Sequence, residues 1–351
     1  MTPSAEPLKV VVVGVGQMGR SHLQAYHKHP GYRVVGIAVR SKLNLPADLA
    51  QYQDCIVSDL AAALALKPDV VSINTHTETH APYAIAAMKA GAHVFVEKPL
   101  ATSVSEAEEV VGTAKRTGRK LVVGYILRHH PSYVEFIRQA RLLGPPFVMR
   151  MNLNQRSVGE AWAIHKRIME KTSPVVDCGV HYIDVMLQIT DARPTQVRGM
   201  GVRLTEEIKP DQINYGHLQI TFDDGSVGWY EAGWGPMISE TAYSIKDVMS
   251  PGGSVSIHMD NTSDSSDVES HTRMSSITVS PTGKEKRAVP VRGDADHDSL
   301  CAREQEFLLK SILEDRDLTK HMDDAVRSLA IVLAADTSML ENRQVDLSDI
   351  L

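Results

Sequence analysis

The stretch "KVVVVGVGQMGRSHLQAY" constrains the fold more than any other: a run of valines breaks at Gly14, and glycines return at Gly16 and Gly19 as a helical pattern begins. In a G-x-G-x-x-G turn between a strand and a helix, the first glycine permits the tight turn. The second lets the backbone approach a pyrophosphate, and the third allows close packing of helix on strand. Gln17 and Met18 fill the variable positions at the helix start, where unpaired N–H groups suit an anion. The competing reading is a glycine-rich turn without a ligand; its place after the first strand of an alternating series favours a dinucleotide.

That series continues through "RVVGIAV", "DVVSIN", "HVFVEK" and "KLVVGY", near-continuous Val and Ile runs of the kind expected for strands covered on both faces. Segments between them, such as "APYAIAAMKAGA", carry apolar residues at helical spacing and finish at a glycine. The pattern predicts an α/β protein with an N-terminal Rossmann domain, a doubly wound parallel sheet over residues 1–126. After "GYILRHHPSY" the rhythm changes to an apolar helix over 133–143 and a Gly-Pro-Pro break. Alternating runs follow, "TQVRGMGVRL", "GHLQITF" and "GSVGWYEAGW", separated by turns such as Asp224-Gly225. Residues 127–351 therefore read as an α+β domain with a large, mostly antiparallel open sheet, in which 261–267 is an exposed hairpin loop and 298–343 forms two helices. A chain of 351 residues suits two such domains.

A net charge of −6 argues against nucleic acid as a partner. No apolar run is long enough to span a membrane and no leader precedes the first strand, so a cytoplasmic location is expected. Cys55, Cys178 and Cys301 stand far apart, without a C-x-x-C pair, which argues against disulfides or a structural zinc site; no metal is expected. At the end of the second strand, where an NAD site carries a carboxylate, stand Val39, Arg40, Ser41 and Lys42. Arg40 and Ser41 suit a 2′-phosphate and predict NADP(H), with NAD(H) possible; the competing reading is a solvated basic loop that tolerates either cofactor.

Glu97, Lys98 and Pro99 end the strand "HVFV" at the carboxyl edge of the sheet, where open α/β sheets bind ligands. Pro99 keeps Lys98 extended and aimed over the crevice, where partial burial and a cationic ring would tune it for proton transfer; taken alone, the triplet reads more readily as a solvated loop. In "PVVDCGVHYIDVM", a helix from about Asp177 puts Asp177, His181 and either Asp184 or Val185 on one face, so that the aspartate can orient the imidazole. Asp177 as an N-cap, His181 as a core histidine, and the two as metal ligands are the alternatives. Trp162, His165, Arg156 and Asn154 offer an aromatic platform and donors to a polyol, or belong to an amphipathic lid or surface helix. Trp229, Glu231 and Trp234 read as sheet or subunit packing.

Taken in series, "GVGQMG", "THTETHAPYAIAAMKAGAHVFVEKPLA", "VGYILRHHP" and "DCGVHYIDVM" resemble the glucose–fructose oxidoreductase, inositol dehydrogenase and rhizopine-catabolism (Gfo/Idh/MocA) family across nearly the whole chain. The resemblance implies nucleotide-dependent oxidation of a sugar or cyclitol hydroxyl, Lys98 and His181 as acid–base residues with Asp177 beside them, and Glu97 near the nicotinamide. It places Thr75 and His80 in the cofactor-side loop and Tyr125 and Arg128 at the border of the catalytic cleft. A homodimer or homotetramer through the C-terminal sheet is implied too. This chain departs from the family in having Thr75-His76-Thr77 where Thr-Pro-Asn is frequent, and residues 171–174 where a glycine pair is frequent. A redox-assisted glycosidase that retains NAD and a non-catalytic sugar or dinucleotide sensor are the competing functions.

Overall fold

The computed structural model describes residues 6–40, 43–239, 244–259, 274–291 and 295–350; Ser41, Lys42 and the 261–267 loop lie outside them. The chain opens with β1 (Leu8–Val13), α1 (Gln17–Lys28), β2 (Tyr32–Ala38), β3 (Ile56–Val57), α2 (Leu60–Ala65), β4 (Val70–Ile73), α3 (His80–Lys89), β5 (His93–Val96), α4 (Val104–Thr117) and β6 (Leu121–Val123). It continues with α5 (Pro131–Leu143), β7 (Val148–Gln155), α6 (Gly159–Met169), α7 (Pro174–Ile189), β8 (Pro194–Val202), β9 (Tyr215–Phe222), β10 (Val227–Trp234), β11 (Lys246–Ser250), β12 (Gly253–Met259), β13 (Met274–Pro281) and β14 (Arg287–Val289). The last elements are α8 (His297–Leu313), α9 (Thr319–Glu341) and β15 (Val345–Asp346).

Two units emerge, Met1–Ile126 with His297–Val326, and Leu127–Asp296 with Arg327–Leu351. The sequence reading divides the chain once, at 126/127. In the structure the chain returns to the first unit, because α8 packs on α1 and supplies Leu308 and Leu309 to a core shared with Val10, Leu23, Tyr26 and Ile37. The first unit holds a six-stranded parallel sheet in the order β3-β2-β1-β4-β5-β6, whose strand order reverses beside β1. Its strands are buried on both faces, which is why they read as unbroken valine runs; β3, with two residues, is too short to show in such a pattern. The crossover helices start and stop on local chemistry: Asp59 and Ser103 accept from backbone N–H groups at the starts of α2 and α4, and Gly118 ends α4 at φ +64°.

The second unit holds a nine-stranded sheet, β14-β13-β12-β11-β7-β10-β9-β8-β15. Its described pairs are antiparallel except β7 with β10, so the expected mostly antiparallel sheet is present, and Asp224-Gly225 turns β9 into β10. Helices α5 and α7 cover one face, with Gly179 of α7 seated on Tyr230 of β10 and Tyr182 stacked on the same ring at 5.2 Å. On the other face Val227, Val148 and Met249 stand side by side across β10, β7 and β11, each more than a third exposed. No helix of the described residues is long and apolar enough to cross a membrane.

Candidate active site

In the first unit, Gly14 adopts φ +83°, and a Cβ there would lie 2.7 Å from the Asn74 carbonyl oxygen. A Cβ on Gly19 would lie 2.1 Å from the Gly14 carbonyl oxygen, so this glycine is what lets α1 lie on the turn. Gly16 has nothing within 4 Å of its Cβ direction. It is the N-cap of α1, with no side-chain cap and no acidic residue in the first turn, which leaves an open anion cradle with Gln17 and Met18 as the first helical residues. A cleft of about 430 Å³ begins at this cradle and is lined by Arg40, Ser58, Asp59, Thr75, His76 and Tyr83 among others. Gly16 faces free space at a helix N-terminus, so the residues present fit a dinucleotide pyrophosphate.

Beyond β2, Arg40 is exposed and lines the cleft. The carboxylate that does reach this cleft, Asp59, comes from the turn before α2. Its oxygens accept from Ala62 N at 2.9 Å and Ser58 Oγ at 2.9 Å, and these donors hold its pKa below the ordinary carboxylate value. Thr75 meets the Thr79 hydroxyl at 2.6 Å. His80 spans two loops, with Nδ1 2.7 Å from the Pro99 carbonyl and Nε2 3.0 Å from the Thr75 carbonyl. Burial pushes its pKa down against the pull of those carbonyls.

At the end of β5, Lys98 is half-buried and the Lys98–Pro99 peptide is cis. Glu97 is buried. Its Oε1 lies 2.8 Å from His22 Nε2 and its Oε2 accepts from Lys98 N at 3.1 Å. His22, three residues after Gly19, was not singled out by sequence reasoning; the signal available was a histidine on the apolar face of α1. Tyr125 is fully buried, its ring 6.4 Å from that of His321. Among the described residues, one trio, His22, Cys301 and Glu304, brings potential metal donors together, but both nitrogens of His22 are engaged by Glu97 and Gln305.

In the second unit, α7 begins at Pro174, three residues before Asp177, with Ser173 as its N-cap accepting from Val176 N. Asp177 is therefore not the cap. Nearly every residue of α7 is buried; Asp177, His181 and Gln188 are the partly exposed ones, and the first two stand one turn apart. Asp184 does not join them, because it is fully buried and takes the Arg128 guanidinium in a two-point pair at 2.9 and 2.5 Å. Trp162 is buried and donates its indole N–H to Glu207 at 3.1 Å. His165 is buried and stacked on Trp234 at 4.3 Å; burial pushes its pKa to about 4, against the pull of the Asp177 charge. Asn154 donates to Glu231 and Arg156 to the Pro236 carbonyl.

A parallel sheet with its glycine turn and cleft at the strand-order reversal, followed by an open-sheet unit, defines a Rossmann-type nucleotide-dependent oxidoreductase fold. Residues 8–125 match the oxidoreductase family with the NAD-binding Rossmann fold, and 135–243 match the GFO/IDH/MocA C-terminal domain. The chain belongs to the GFO/IDH/MocA oxidoreductase family. It is 29% identical over 220 residues to UDP-N-acetylglucosamine 3-dehydrogenase from Acidithiobacillus ferrooxidans, covering 63% of this chain and 65% of that protein. It is 28% identical to an inositol 2-dehydrogenase/D-chiro-inositol 3-dehydrogenase from Halalkalibacterium halodurans, over 52% of this chain and 53% of that one. The matches thus span about half to just under two thirds of these relatives' lengths. The fold resembles that of an Agrobacterium radiobacter oxidoreductase in complex with NAD+, L-tartaric acid and magnesium, with TM-score 0.80, 16% identity, and 99% and 100% of the two chains covered.

Proposed function

We propose that the protein oxidises a secondary hydroxyl of a sugar, sugar derivative or cyclitol, or reduces the corresponding carbonyl, with a nicotinamide dinucleotide. The observation that carries this reading is the pair Asp177 and His181, the partly exposed stripe at the start of an otherwise buried helix. The names of the relatives support the substrate class. When bound, the nicotinamide supplies the hydride acceptor or donor. The chain's own residues manage the proton: Lys98 and His181 hold and remove it from the hydroxyl as the carbonyl forms, and Asp177 stabilises the charge left on the imidazole. Thr75, His80 and Glu97 shape the loops beside Lys98. Tyr125, Trp162 and His165 are buried and Arg128 is partly buried, and each has an internal partner, which supports a role in holding the substrate-binding residues of its own unit in place.

NADP(H) is the preferred cofactor in this reading. Arg40 stands in the cleft where a ribose-binding carboxylate would be, and the oxygens of Asp59 already have local donors. The exposed row of Val227, Val148 and Met249 supports a homodimer or homotetramer through the open sheet face. A spectrophotometric panel of inositols, aldoses, ketoses, sugar acids and nucleotide sugars, run with both nucleotides, tests substrate class and cofactor together. No turnover with any of them sinks the dehydrogenase reading, and equal or better kcat/KM with NAD(H) sinks the NADP(H) preference.

A further inference from the structure

We propose that His22 is a positioning residue for Lys98, acting through Glu97: its Nε2–H holds the Glu97 carboxylate against the Lys98 backbone, and the carboxylate keeps the Lys98 side chain in its ammonium form. The inference rests on the reading of Lys98 as the proton-handling residue of the first unit.

The geometry is a line of hydrogen bonds through the unit's interior. Gln305 Nε2 donates to His22 Nδ1 at 3.0 Å, which makes Nδ1 the acceptor and leaves the ring proton on Nε2. His22 Nε2 then donates to Glu97 Oε1 at 2.8 Å, and Glu97 Oε2 takes the Lys98 N–H at 3.1 Å. His22 and Gln305 are fully buried and Glu97 nearly so, and the imidazole is held against the Phe95 ring at 4.5 Å. A Cβ at Gly124, the residue after β6, would lie 3.3 Å from the Glu97 carboxyl, so the chain packs closely on the carboxylate there.

The charges around this line leave a simple balance. Burial pushes Glu97 up, but the His22 hydrogen bond, the Lys98 ammonium and the Lys98 N–H outweigh it and hold Glu97 below its ordinary value. On α8, burial and the Glu97 charge push Glu304 well above the carboxylate range, and burial with neighbouring carboxylates pushes up the Cys301 thiol, so both stay protonated. On α3, burial pushes His80 down. Of these groups Glu97 is the one that stays an anion, and its charge and that of Lys98 act on each other. Without the His22 donor, a carboxylate buried this deeply takes up a proton, and Lys98 loses the charge of Glu97.

The test reads Lys98 directly and requires no substrate. The full chain is treated with limiting acetic anhydride from about pH 6 to 10, and acetylation of Lys98 is quantified by peptide mass spectrometry. Glu97→Gln and His22→Leu are expected to lower the midpoint of Lys98 reactivity by about one pH unit. His22→Gln, whose amide nitrogen can stand where Nε2 stands, should keep the wild-type midpoint; restored N–H donation, and not mere filling of space, is what this variant reports. His22→Asn, polar but too short to reach Glu97, follows His22→Leu and replaces it if the leucine variant does not fold, as checked by circular dichroism and nucleotide binding. Unchanged midpoints in Glu97→Gln, or in both His22→Leu and His22→Asn, overturn the proposal, as does a His22→Gln midpoint equal to that of His22→Leu. Failure of the dehydrogenase reading would show separately, as wild-type protein without turnover.

Discussion

Replacing Lys246 by methionine removes a cation from the interior of the second unit, and the consequence can be worked from its surroundings. Lys246 on β11 is 2% exposed. Its Nζ donates to the Asn152 carbonyl and to Ser244 Oγ, and it lies 4.6 Å from the centre of the Tyr182 ring. Burial lowers its pKa from 10.5 to about 7. The unfolded chain therefore binds this proton more tightly than the native state does. Between about pH 7 and 10 wild-type stability gains about 1.4 kcal/mol per pH unit from this group, while below pH 7 the penalty is constant, on the order of 5 kcal/mol. Methionine removes the penalty but leaves the Asn152 carbonyl and the Ser244 hydroxyl without their donor, at about 1–3 kcal/mol. Lys246→Met should thus be the more stable protein at pH 6 to 7 by a few kcal/mol, an advantage that shrinks with rising pH and vanishes about two units higher. All three tryptophans lie within the second unit, so urea unfolding followed by their fluorescence reports on the right part of the chain. Wild-type and variant stabilities that run parallel from about pH 6 to 9.5 would refute the reasoning.

Lys98→Ala and His181→Ala are each expected to lower kcat by about 10² to 10⁴ while nucleotide binding persists, measured by steady-state kinetics and fluorescence titration; near-wild-type turnover in both ends the proposed mechanism. Gly16→Ala should keep the wild-type Tm, because nothing lies within 4 Å of the new carbon, yet weaken nucleotide binding. Gly19→Ala, whose Cβ would sit 2.1 Å from a carbonyl oxygen, should lower Tm as well. Asp336, next to Ser173 Oγ at 2.7 Å, has its pKa raised from 3.8 to about 6 by burial, so its stabilising contribution is present below about pH 4 and lost as pH rises through 6. Asp336→Asn should raise stability at pH 7 by up to about 3 kcal/mol and match wild type near pH 4, as chemical denaturation at the two pH values would show.

The main strands of the first sheet and the glycine turn were legible because their signals are local: Val and Ile runs covered on both faces, and glycines whose spacing matches a turn that tolerates no Cβ at Gly14 or Gly19. The start of α7 was legible too, in Ser173-Pro174, a cap residue followed by a proline suited to the first helical position, but attention to Asp177 placed the start three residues late. What could not be read was pairing at a distance. Nothing near Glu97 announces His22, 75 positions away, and nothing near Arg128 announces Asp184, 56 positions away. Lys246 sits in "SIKDVMS", which reads as a strand with a solvent-facing lysine until β7 and α7 are seen to enclose it. The same lack of long-range information hid the return of α8 to the first unit.

That return has a consequence for how the protein is made. The first unit's sheet is complete in strands once β6 has been synthesised, yet Leu308, Leu309 and Leu318, which close its core, are still unmade. On the ribosome the nascent nucleotide-binding unit must wait with apolar surface uncovered while the whole second sheet is translated. The two units are therefore interleaved in time as well as in sequence. A shortened chain carrying residues 1–126 alone would lack Gln305 behind His22 and expose the seat of α8 on α1, so this unit cannot be transplanted by a single cut.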